Sequence, residues 1–118
     1  KSITIKPDFW QAINNKGLAY FEKKNINLSI KLFEKAISIE DNAEPLLGLA
    51  SCLRIKNIEL ALELAKKALN KNPNYVNSEY RKEQLWGENL QTSTEILLQY
   101  DQLQRDVILA KSKINASS

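Results

Sequence analysis

Histidine is missing from this 118-residue chain, and Cys52 is its only cysteine. No internal disulfide can form, and the usual zinc-binding sets and histidine-dependent catalytic arrangements are excluded. With three glycines and three prolines among long runs of Ala, Leu, Lys, Glu and Gln, helix is the expected state nearly everywhere. No segment approaches the run of about 18 apolar residues that a membrane span needs. Glycine-rich phosphate loops and nucleophile–base pairs are also lacking, and Glu34, Glu40 and Asp41 are scattered over helix surfaces, so an enzyme is not expected. No cofactor or metal is expected either.

What remains is ordinary for a globular domain: 43% hydrophobic and 26% charged residues. The net charge of +3 and pI near 9.0 raise the question of nucleic acid. Lys and Arg are interleaved with Asp and Glu, however. The short clusters Lys23-Lys24 and Lys66-Lys67-Lys71 lie at or near helix ends, where the helix dipole accounts for them. Nucleic-acid binding is therefore disfavoured. Cys52, among Leu49, Leu53 and Ile55, reads as a small buried hydrophobe, and a lone reduced cysteine fits a reducing, cytoplasmic location. Because the chain begins at Lys1, we expect an excised domain or a processed product.

The strongest positive signal is duplication. Gly17-Leu18-Ala19 returns as Gly48-Leu49-Ala50, an offset of 31 residues, whereas Ile26, Leu28, Ala36 and Ile37 return as Ile58, Leu60, Ala68 and Leu69, an offset of 32. A period of roughly 20 to 50 residues marks stacked supersecondary units that bury their apolar faces only against neighbours. The change of offset places one extra residue in the turn inside the second unit.

Local signals divide the chain further. Residues 1–7 read as an extended lead-in ending at Pro7, and Asp8 with Gln11 forms a capping box for the first helix. Trp10, Ile13, Gly17 and Tyr20 share one face of it, and Asn25 caps a second helix with the stripe Ile26, Ile30, Phe33, Ile37. Asp41 with Glu44 is a second capping box opening a third helix near Asn42, and a fourth runs from Asn57 to a stop at Asn72-Pro73-Asn74. Tyr75 to Gln99 is either one long helix or two broken near Gly87. Asp101 with Gln104 is a third capping box, opening a last helix with Leu103, Val107, Ile108 and Ala110. The expected organisation is one domain over 8–114, made of units 8–41, 42–74 and a divergent capping unit 75–114, with 115–118 as a tail.

Gly17, Tyr20, Ser29, Phe33 and Ala36, followed by Ala61, Ala68 and Pro73, fall at the spacings of the tetratricopeptide repeat, and the chain resembles that family over residues 8–74. Ile13 and Asp41 depart from its pattern, as does a period below the typical ~34 residues. The resemblance implies an all-α, right-handed superhelix of antiparallel helix hairpins, with about three repeats or two repeats plus capping helices. It also implies a protein-interaction module whose concave groove, lined by the first helix of each pair, takes a peptide or extended protein segment. Carried onto the first unit, the groove positions are Gln11, Asn14, Leu18 and Phe21. The family's carboxylate clamp is not matched, since Asn14 and Leu18 occupy its first positions and the third helix is apolar there. Tyr80 and Trp86 are a second candidate contact surface, either core or a patch for docking or self-association within a larger protein, so a homo-oligomer is left open.

Overall fold

The computed structural model describes residues 9–117, and the expected lead-in and the capping role of Asp8 lie outside them. The described residues form seven α-helices: α1 Phe9–Glu22, α2 Ile26–Ile39, α3 Ala43–Leu53, α4 Ile58–Lys71, α5 Ser78–Glu83, α6 Glu88–Leu98 and α7 Asp101–Ser117, with a 3-10 turn at Pro73–Val76 between α4 and α5. The all-α, repeat-like fold is as the sequence implied.

Helices α1 and α2 pair, α3 and α4 pair, and α2 packs on α3 to stack one pair on the next. The small residues read from the sequence make this approach close: Ser29, Ala36, Ala61 and Ala68 have no exposed surface, and Ser29 Oγ donates to the Gly17 carbonyl at 2.8 Å. The duplicated glycines have a shared cause. A Cβ on Gly17 would stand 3.0 Å from Cε1 of Phe33, and one on Gly48 would stand 2.7 Å from its Cζ. The Phe33 ring is thus gripped from both pairs, and each glycine clears room for it.

The turns also follow the offsets. Three residues separate α1 from α2 and four separate α3 from α4. The shorter turn closes because Lys24 takes a left-handed φ of 68°, letting the Lys24 and Asn25 amides donate to the Phe21 and Tyr20 carbonyls. Asn25 and Asn57 cap α2 and α4 through side-chain oxygens that accept from the Leu28 and Leu60 amides.

Two capping boxes are corrected. Asn42, not Asp41, caps α3: its backbone is extended and its Oδ1 accepts from the Glu44 amide at 3.3 Å. Asp41 instead pairs with Lys67 and Lys71 at 3.4 and 3.5 Å. At α7, Gln104 does not reach back to Asp101; its amide donates to the Leu98 and Tyr100 carbonyls, tying α7 to the end of α6. Residues 75–99 are two helices rather than one, and α7 continues through Ser117 into the stretch read as a tail. Of the apolar residues read on the last helix, Leu103, Val107 and Ala110 are buried and Ile108 is exposed.

Candidate functional site

The C-terminal helices do not extend the row of helix pairs. Helix α6 lies against α1 and α3, while α7 covers α4 and the 3-10 turn. The chain reverses into α6 through a second left-handed residue, Leu85 with φ 71°, where the Trp86 amide donates to the Arg81 carbonyl. Gly87 begins α6 without a side-chain cap of its own. Glu22, at the end of α1, supplies it: its carboxylate oxygens accept from the Asn89 and Leu90 amides, both at 3.0 Å. A Cβ on Gly87 would fall 2.2 Å from Glu22 Cδ, so glycine is needed for this approach. Farther along, Ser51 and Thr94 hydroxyls lie 2.7 Å apart and Ser93 Oγ donates to the Ser51 carbonyl at 2.9 Å.

This arrangement decides where the candidate groove residues fall. Gln11 faces solvent, but Asn14, Leu18 and Phe21 are buried, at 1%, 4% and 7% exposure. Helix α3 is buried from Ala43 through Cys52, which accounts for its apolar character all round and leaves it no open groove face. Three of the four side chains expected along an open groove on α1 are thus buried, and α6 packs on α1 and α3. Trp86 is likewise buried at 4% exposure and belongs to the core, while Tyr80 is half-buried.

A polar cluster sits where these elements meet. The Glu44 carboxylate accepts from Tyr75 Oη and Trp86 Nε1, each at 3.1 Å, and from the Asn14 amide. Burial raises its pKa above the ordinary 4.5, and these neutral donors only partly counter that. Tyr75 stacks edge-on to Tyr80, with ring centroids 4.9 Å apart. Asn14 Oδ1 is buried with no hydrogen-bond partner. Beside the cluster, Arg81 has no exposed surface; its guanidinium donates to Gln91 Oε1 at 2.8 Å, to the Tyr75 carbonyl at 3.2 Å and to the Glu95 carboxylate. Arg81 thereby fixes α5 and the 3-10 turn to α6.

Two neighbouring clefts open at this junction. The larger, of about 440 Å³, runs between Trp10, Gln11 and Asn15 of α1 and Tyr80, Glu83 and Leu85, with Glu44 and Tyr75 also lining it. The smaller, of about 230 Å³, continues past Leu18, Glu22 and Gly87, and both share Asn15 and Leu85. Leu85 is 77% exposed in a backbone conformation that leucine rarely adopts. Of the sequence candidates, Gln11 and Tyr80 thus meet across one cleft. Sequence reasoning missed Trp10, Glu44 and Leu85. A lone glutamate among Ala43, Pro45, Leu46 and Leu47 was a usable sign for Glu44; nothing in the sequence marks Leu85 as left-handed.

A third cleft, of about 340 Å³, lies between Phe21, Ile26, Cys52 and Ile55 with Arg54 at its edge. Burial pushes the Cys52 thiol up to about 12, so it is a poor nucleophile there. Among the described residues no group of Cys, Asp and Glu is placed to hold a metal ion, and no helix is long and apolar enough to cross a membrane.

Stacked helix pairs with clefts between them define a helical-repeat protein. The family model of the tetratricopeptide repeat matches residues 11–42, which take in most of α1, all of α2 and the cap of α3, and over this segment the chain is similar to a tetratricopeptide repeat. Such repeats generally mediate protein–protein interaction, so the partners indicated are proteins. Searches of curated proteins and of solved structures return no match.

Proposed function

We propose that residues 8–114 act as one non-catalytic interaction module, with repeats 8–41 and 42–74 and a C-terminal unit 75–114, that binds a peptide or an extended segment of a partner protein. The binding surface is the cleft between α1 and the 72–87 segment, in place of an open groove over Asn14, Leu18 and Phe21. Leu85 carries this reading. A leucine held in the left-handed region costs about 1 kcal/mol or more relative to its ordinary conformations, and such strain concentrates at functional positions. Here it projects an apolar side chain, 77% exposed, into the wall shared by both clefts. Side-chain amides along the remainder of the lining can pair with a peptide backbone. Among the described residues no lysine or arginine lines the cleft to supply the cations that phosphate contacts use. The alternative of self-association through a long helix after Pro73 loses both that helix and Trp86 as an exposed anchor.

Leu85→Asn separates binding from stability. Asparagine tolerates the left-handed region, so the variant should gain about 0.5–1 kcal/mol in urea unfolding. It should also lose the peptides that a displayed random library yields against the native chain. A library that yields no peptide, or peptides that bind Leu85→Asn equally well, would remove this cleft as the binding surface.

A further inference from the structure

We infer that the larger cleft accepts a cationic side chain, a lysine or arginine of the bound segment. The inference rests on the binding reading above and names the chemistry of its ligand. Although the whole chain carries a net charge of +3, the described residues that line this cleft include two carboxylates, Glu44 and Glu83, and no lysine or arginine. Glu44 is buried at 9% exposure, and the hydrogen bonds it accepts come from the neutral groups of Trp86, Asn14 and Tyr75. A buried carboxylate whose described partners are all neutral is costly, and a positive charge entering the cleft offsets that cost in a medium where charges attract strongly.

The walls suit the same occupant. Trp10 and Tyr80 line opposite sides and are only half-buried, leaving ring surface for a cation. An acidic or phosphorylated side chain would meet Glu44 and Glu83. An aliphatic one would strip water from carboxylates and amides while pairing with none of them. A volume of about 440 Å³ accommodates a long side chain with adjoining backbone.

The test titrates the ¹⁵N-labelled intact chain with acetyl-Gly-Lys-Gly-amide, its arginine counterpart, and versions bearing norleucine or glutamate at the central position, following the Trp10 indole N–H. The lysine and arginine peptides should shift that signal saturably, with affinity about threefold to tenfold above norleucine and glutamate weakest. Glu83→Gln, at an exposed position, should lower lysine-peptide affinity about threefold, and Glu44→Gln should lower it further. Equal binding of the norleucine peptide would overturn the cationic preference and leave the cleft standing as a peptide site. Shifts confined to residues away from the cleft, or no shift with any peptide, would overturn it as well. In the last case the library experiment with Leu85→Asn alone decides whether the cleft binds peptide at all.

Discussion

Phe33 has no exposed surface, and the glycines that close on its ring come from two different helix pairs. At most helical sites Gly→Ala stabilises by up to about 1 kcal/mol through backbone entropy and propensity. At Gly48 the added methyl would stand 2.7 Å from Cζ of a ring that cannot retreat into solvent. Overpacking then dominates, and Gly48→Ala should destabilise by about 1–3 kcal/mol in urea unfolding, with Gly17→Ala milder at its wider 3.0 Å spacing. A Phe33→Leu background should absorb much of the Gly48→Ala penalty, since residues in direct contact couple. Stabilisation by Gly48→Ala would show that the ring does not bear on that position.

Among the elements, α6 depends most on a residue distant in sequence. Gly87 offers no side-chain oxygen, so the first amides of α6 rely on Glu22. Removing a cap of this kind costs about 1 kcal/mol. Glu22→Ala should therefore speed hydrogen exchange at Asn89 and Leu90 while the amides of α2 and α4 keep their protection. Uniform acceleration across all helices would instead mark Glu22 as part of the global core. The same elements show what could be read from sequence. Periodicity, asparagine caps and the shift between offsets of 31 and 32 residues marked α1 to α4 and the extra residue in the second turn, because those features are local. The path of α6 depends on Glu22 meeting backbone 67 residues away and on Leu85 turning left-handed, and no local pattern encodes either. The burial of Asn14, Leu18 and Phe21 was not legible for the same reason, since it depends on packing between elements distant in sequence. Asp41 failed as a cap because its neighbour Asn42 offers the same chemistry one residue closer to the helix.

For the whole molecule, Glu44 ties stability to pH. Its folded-state pKa is raised above 4.5 by burial, so the native protein holds the proton more tightly than the unfolded chain does. This contribution weakens the fold as pH rises from about the ordinary 4.5 through the raised value, and it levels off above that. Glu44→Gln has no carboxylate to ionise at that position. The stability of Glu44→Gln relative to the native chain should grow as pH rises above the ordinary 4.5 in urea titrations, and a difference that stays constant with pH would show that the fold does not hold the Glu44 proton.

The Glu22 link from the end of α1 to the start of α6 also bears on how the protein forms. Arrays of repeats whose contacts run only between neighbours can fold by zippering outward from any unit, and they can melt one unit at a time. Here the first helix is joined to the sixth, so its native contacts include many of large sequence separation. Closing that loop must precede much of the stabilisation it brings, which slows folding relative to a simple array. The chain has the parts of a linear polymer of helix pairs and the connectivity of a closed globule: it should appear and disappear as a single cooperative unit.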